Sequence, residues 1–237
     1  MVRGLGTLAN LMAVLLGGTA GLLVGDRLPQ RTVEMTMQGV GLATLLVGLQ
    51  MAWQADTGPR FIAVLLSLVV GSWLGEALRI EDRLNSIGEQ LRRRFGGEGD
   101  RSSFTEGFVA ASLLFCVGPM TILGALQDGL RADPTLLLTK SALDGISAVA
   151  LTAALGPGVL FSTVTLLVYQ GGLTAAAGAA THILTDPVVT LISATGGLMI
   201  MGLGLTILNL VKLRVANMLP SLIIAAFAGH ILKALLV

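Results

Sequence analysis

A helical bundle that crosses a membrane several times is the fold class this sequence predicts, and three observations predict it. The hydrophobic fraction is 54% and charged residues are only 12%, about half the charge content of an ordinary soluble domain. Mean hydropathy is +0.83, with the apolar residues gathered into runs near the roughly 20 residues that cross a bilayer's hydrocarbon. Glycine is abundant, 31 of 237 residues, as suits helices that approach closely in lipid. The net charge of +1 gives no reason to expect a nucleic-acid partner. A single cysteine, Cys116, excludes an internal disulfide and a cysteine-built metal cluster.

The reading is all-α: one integral membrane domain over 1–237 with about eight crossing helices, seven being the alternative count. The segments fall near 5–25, 35–54, 61–79, 104–127, 134–156, 158–181, 187–210 and 217–236. The first follows Arg3 like a signal peptide, but its apolar run is long and "LLVGDRLPQR" has no small-x-small cleavage site, so it is expected to be retained. Gly17, Gly21 and Gly25 give it a small-xxx-small face, and Gly71 with Gly75 give the third segment a shorter one. Both are close-contact faces, expected inside the bundle ahead of the alternative, a homo-oligomer interface. Trp53 and Trp73 are the candidates for interfacial anchors.

Between the third and fourth segments, Ile80, Leu84, Ile87, Leu91 and Phe95 repeat at helical spacing with arginines opposite. That predicts an amphipathic helix over 80–97 lying on the membrane surface. Ser103 and Glu106 read as a capping box opening the fourth segment, and Asp128–Gly129 as its end. Asp133–Pro134 and Asp186–Pro187 each read as an N-cap followed by proline at the first helical position. "LGPGV" at 155–159 separates the fifth segment from the sixth. Fusing those two would give seven crossings and carry Lys212 and Arg214 to the outside. With eight crossings and both termini outside, Arg27, Arg31, Arg79, Arg83, Arg92, Arg93, Arg94, Arg101, Lys212 and Arg214 all face the cytoplasm, as the positive-inside rule asks.

Two stretches echo each other. "GLATLLVGLQMA" (41–52) aligns with "GLMIMGLGLTIL" (197–208), and 62–78 aligns with 219–235. Each pair would run in opposite directions through the membrane, the pattern of an inverted repeat.

The fifth segment carries Lys140 and Asp144 within an apolar run. Asp144 lies ten residues past Pro134, roughly 15 Å deep and near the bilayer middle. Lys140 is one turn nearer the outer surface on the same face, flanked by Ser141 and Ser147. A charge at that depth costs about 2.5–3.5 kcal/mol or more. The pair therefore reads either as a site for an ion, a proton or a polar solute, or as a structural ion pair. Asn10, Tyr169, Gln170 and Asp128 are further candidates for such a site. The glycine pair Gly171–Gly172 marks either an unwound, solute-binding turn or a close helix contact. Ser193 and Thr195 add weak polar candidates in the seventh segment.

His182 and Asp186, four apart, could touch a metal, but two ligands are too few, so no metal and no cofactor are expected. Zincin, nucleophile-elbow, Walker and dinucleotide fingerprints are all lacking. The chain is expected not to be an enzyme.

The stretch "FCVGPMTILGALQDGLRADPTLLLTKSALDG" (115–145), with "GTLANLMAVLLGG" near the start and "NMLPSLIIA" near the end, resembles domain of unknown function family 554, the YqgA-like bacterial membrane proteins. The resemblance runs over essentially the whole chain. It implies a multi-pass protein of a prokaryotic plasma membrane, often described as a transporter, usually drawn with about seven crossings and without an established substrate. The expectation is a secondary transporter or permease whose partners are the lipid bilayer and a small ion or solute, with a homo-oligomer open. The alternative is a scaffold or sensor that docks through the arginine-rich inner helix.

Overall fold

A computed structural model describes residues 3–25, 29–56, 58–83, 86 and 101–236. Among them every regular element is helical. In chain order these are α1 (Leu5–Gly25), α2 (Gln30–Ala52), α3 (Gly58–Leu78), α4 (Arg101–Cys116), α5 (Pro119–Arg131), α6 (Thr135–Leu155) and α7 (Gly158–Leu166). A π-helical turn (Leu167–Gly171) follows, then α8 (Gly172–Ala175), α9 (Ala177–Ile183), α10 (Asp186–Ile207), a short 3-10 turn (Val215–Met218) and α11 (Pro220–Leu236). Among the described residues six stretches are long and apolar enough to cross a membrane: Leu5–Gly25, Gly58–Leu78, Thr135–Leu155, Gly158–Ala175, Asp186–Ile207 and Val215–Ala234. The bent pair α4–α5, counted as one span rather than a re-entrant loop, brings the number to seven, and Met37–Ala52 within α2 is apolar but shorter.

The distribution of polarity is that of a lipid-facing protein. Asn10, Asp128 and Gln170 are fully buried, whereas Leu16, Ile146 and Val168 are about two-thirds exposed or more. Trp53 and Trp73 are the most exposed of the large apolar side chains, consistent with interfacial anchors.

The chain divides into two compact units. The first comprises Met1–Val40 and Ile87–Thr181. Its central contact is between α1 and α6, which run parallel. A Cβ at Gly17 would fall on the carbonyl of Gly145, one at Gly21 on that of Val149, and one at Gly25 on Ala153. The expected small-residue face of α1 therefore lies within the molecule. Around this pair, α4 packs along α7, where a Cβ on Gly158 would strike the Phe104 carbonyl.

The second unit comprises Gly41–Ser86 and His182–Val237. In it α11 packs against both α3 and α10. Gly41 abuts Gly204, and Gly48 abuts Gly197, so α2 and α10 cross antiparallel on their glycines. Gly71 and Gly75 seat α3 against Ser221 and Asn217.

Several boundaries differ from expectation, each for a local reason. The fourth segment is two helices bent by 57°, since Pro119 cannot donate the amide hydrogen that would continue α4. α4 starts at Arg101, upstream of the Ser103 capping box. α5 does not stop at Asp128–Gly129: it runs to Arg131 and ends on Ala132, whose φ of 52° closes the helix in the left-handed region. Gly129 is instead a contact residue, facing the carbonyl of Thr174. Pro134 takes the cap position of α6, and Asp133 stands just before it, its Oδ1 accepting from the amide (3.1 Å) and hydroxyl (2.7 Å) of Thr135. Those bonds, the hydroxyl's first, hold its carboxyl below the usual carboxylate range. Asp186 is already inside α10, and Thr185 occupies the cap position. Residues 80–83 and 86 are helical, while Leu84, Ile87, Leu91 and Phe95, which define the amphipathic face, lie outside the described residues.

The glycine contacts give a graded prediction. A Cβ at Gly75 would fall on the Asn217 carbonyl, whereas one at Gly39 would meet nothing. Gly75→Ala should cost about 1–3 kcal/mol through overpacking. Gly39→Ala should be neutral or stabilising by roughly 0.5–1 kcal/mol, because it removes a mid-helix glycine. Melting of the two variants in detergent checks the order.

Candidate functional site

The candidate site lies in the first unit, where α6, α1 and the π-turn meet. Lys140 and Asp144, four residues apart on α6, form a buried ion pair through Lys140 Nζ and Asp144 Oδ2. Each is only 6% exposed. Burial of one ion alone would be costly, and the pair is tolerable because its charges cancel and its oxygens are hydrogen-bonded.

Asn10 provides that support. Its side-chain amide donates to Asp144 Oδ2 (2.9 Å) and to Gln170 Oε1 (3.0 Å). Gln170 in turn donates to Thr7 Oγ1 (3.2 Å), which lies 3.0 Å from Thr174 Oγ1. The Thr174 hydroxyl donates to the backbone carbonyl of Gln170 (2.9 Å). That last bond fixes the direction of the whole chain. Thr174 has spent its hydrogen on the backbone, so the Thr7 hydroxyl must donate to Thr174 and accept from Gln170. Gln170 must then present its oxygen to Asn10, and Asn10 must present its nitrogen to both Gln170 and Asp144.

The π-turn sets the reach of Gln170. A π-turn inserts an extra residue into the helix and rotates the faces that follow it, and here Gln170 is fully buried while Val168 is 70% exposed. Gly171–Gly172 fits neither of its expected roles. The backbone stays helical, and a Cβ at Gly172 would meet nothing.

Of the sequence candidates, Asn10, Lys140, Asp144 and Gln170 are brought together. Ser141 is buried beside them, but its hydroxyl donates to Leu137 of its own helix (2.7 Å). Tyr169 lines an apolar groove of about 650 Å³ with Val164, Thr165, Val168, Gly172 and Leu173, and makes no part of the hydrogen-bonded chain. Asp128 has a separate job. Its carboxylate accepts from the amides of Gly4 (3.2 Å) and Gly6 (3.0 Å) and so caps α1 from another helix, where the helix dipole favours an anion. Thr7 and Thr174 were not foreseen. The signal was present, since Thr174 follows Gln170 by one turn and Thr7 precedes Asn10 by three residues.

A second polar cluster, also unforeseen, closes the C-terminal end of α3 in the other unit. Glu76 pairs with Arg214 (2.6 Å) and accepts from Asn217 (2.8 Å), whose Oδ1 takes the amide of Glu81 (2.7 Å). Burial pushes the Glu81 carboxyl above its ordinary value, with Arg214 opposing. Among the described residues no group of three or more His, Cys, Asp and Glu is arranged to hold a metal.

Comparison with known proteins finds a family that spans nearly the whole chain. The family described as protein of unknown function (DUF554) matches residues 5–229. The uncharacterized protein YqgA of Escherichia coli is 33% identical over 225 residues, covering 93% of this chain and 94% of its own. The uncharacterized membrane protein YdfK of Bacillus subtilis is 29% identical over 230 residues, 97% of each chain. No solved structure matches the chain.

The ion pair predicts strongly non-additive mutations. Lys140→Met strands Asp144 and should cost about 3–5 kcal/mol. Lys140→Met combined with Asp144→Leu removes both charges and should recover most of that loss. Melting of the two single variants and the double variant in detergent measures the coupling, and simple additivity would contradict the pairing.

Proposed function

The chain belongs to the DUF554 family of proteins of unknown function, and on that footing we propose that it is a secondary transporter or permease for a small ion or polar solute. One observation carries the reading: a buried Lys140–Asp144 pair on a membrane-length helix, held by the side-chain amide of Asn10. Ionisable groups at such depth belong by default to ion, proton or solute pathways. Asp144 is the coupling acid and Lys140 its partner. Asn10 and Gln170 are the groups that position them.

The glycine contacts of the second unit support an inverted repeat. Aligning 41–52 with 197–208 equates Gly41 with Gly197 and Gly48 with Gly204. Under that equivalence the contact Gly41–Gly204 becomes Gly197–Gly48, the other contact observed. A two-fold axis between antiparallel helices produces this exchange, and such repeats are a common build of transporters.

A second reading is a scaffold or sensor working through the arginine-rich inner segment. It is favoured by the Glu76–Arg214–Asn217–Glu81 cluster, which ties the start of that segment to the end of α3. Deleting 81–95 should abolish function on that reading while Asp144→Asn is tolerated.

Two measurements test the first reading. Ser141→Cys in a Cys116→Ala background should react with a membrane-impermeant thiol reagent as alternating access opens the site; inertness from both sides would argue for a sealed structural pair. We place the protein in a prokaryotic plasma membrane with both termini outside. Alkaline phosphatase fused after Val237 should then be active, and inactive fusions would reverse the orientation.

A further inference from the structure

We infer that the cluster of Asn10, Asp144 and Gln170 is a site for a small monovalent alkali cation, which competes with the Lys140 ammonium for the Asp144 carboxylate. The inference rests on the transporter reading of the same residues and names what that site takes.

The carrying observation is Asn10 Oδ1. Asn10 is fully buried, and this oxygen accepts no hydrogen bond among the described residues. A buried amide acceptor without a partner is costly and calls for an explanation. Turning the amide over does not cure it. Oδ1 would then face Asp144 Oδ2 and Gln170 Oε1, which are both acceptors. Gln170 cannot turn over to compensate, because its nitrogen donates to Thr7 in a chain whose direction is locked by the Thr174 bond to the backbone. The unmet oxygen is thus built in by the surrounding network.

The chemistry of the donor set selects the ligand. With the Asn10 amide turned over, a cation seated against it meets the Asp144 carboxylate and the Asn10 and Gln170 amide oxygens in place of the two hydrogen bonds, and these are hard oxygen ligands, the type that hard cations take. An anion would meet the Asp144 carboxylate and an acceptor that offers it no hydrogen. A divalent cation would leave a buried net positive charge on a single carboxylate. A monovalent cation exchanged for the ammonium keeps the cluster neutral, which burial demands. Lys140 sits one turn away on the same helix and holds the carboxylate through a flexible four-carbon stem. It can give up Asp144 without any change in the helix. In this arrangement the ammonium is the internal counter-ion of the cation-free state. A lone water donating to Asn10 is the rival explanation, and it predicts no discrimination among salts.

The test is thermal melting and equilibrium binding of sodium, lithium and potassium to the purified full chain in detergent. Choline, too large for the site, serves as the control salt at equal ionic strength. At least one alkali cation should raise the Tm of the wild type above its value in choline. Lys140→Met should bind that cation at least tenfold more tightly, because the competing charge is gone, and should recover in it much of its lost Tm. Asn10→Ala and Asp144→Asn should lose the shift. Should Lys140→Met fail to fold even in alkali salt, Lys140→Gln asks the same question with a side chain that can still bond Asp144. Equal Tm in all salts for the wild type and the lysine variants would overturn the inference, as would a shift that survives in Asp144→Asn. Thiol labelling of Ser141→Cys in choline medium separates the two failures. If labelling persists without any cation effect, only the cation assignment falls. If labelling is absent, the transporter reading falls with it.

Discussion

Everything distinctive about the first unit depends on how closely α1 and α6 approach. Hydrocarbon supplies no hydrophobic drive between helices, so association there rests on packing and polar contact. Gly17, Gly21 and Gly25 let the backbone of α1 lie on the carbonyls of α6. No side chain of ordinary size could stand between them. That approach brings the short side chain of Asn10 within 2.9 Å of Asp144, and with it Gln170 from the π-turn. A wider crossing would leave the carboxylate with Lys140 alone. The glycines and the polar chain are therefore two parts of one device, the first setting the distance that the second needs.

The polar chain follows from the same scarcity of water. Each donor in it is directed by the acceptor before it, beginning at a backbone carbonyl and ending at the Asp144 carboxylate. Such a network has a single consistent orientation, which makes it rigid. It also leaves one acceptor over. Asp128 illustrates the contrasting case: it is buried more completely still, but the amides of Gly4 and Gly6 use both its oxygens. One acid closes a helix end and has nothing left to offer, while the other sits beside an oxygen still without a donor.

How far this was legible in the sequence depended on whether the signal was local. The span of α1, Leu5–Gly25, is readable to the residue because apolar composition and glycine spacing mark it from within. Lys140 and Asp144 share a face by helical spacing alone, and Asp133 announces the start of α6. The bend between α4 and α5 was also written in the chain, in Gly118–Pro119, but a hydropathy reading passes over a proline flanked by apolar residues. Gln170 was a candidate because of the glycines beside it, and those glycines turned out to be incidental. Thr7 and Thr174 each stand one helical turn from a polar candidate, but nothing local joins them to each other across the 167 positions that separate them. Only the fold brings them together. The same holds for Glu76 and Arg214, 138 residues apart.

There remains the question of why a membrane helix should carry such a pair. Stability alone is a poor reason. A buried ion pair is often no better than apolar residues of similar volume, and removing both charges is frequently neutral or favourable. A helix–helix contact already secured by a glycine ladder has little need of a lysine, an aspartate and two amides to hold it. Specificity of packing is a better structural reason, yet a network meant only to lock the helices would satisfy all its members, and this one leaves Asn10 Oδ1 unmet. The arrangement is costly and incomplete, and it sits on helices of membrane length. A functional role accounts for all three properties with one assumption: the missing partner is something the protein binds and releases.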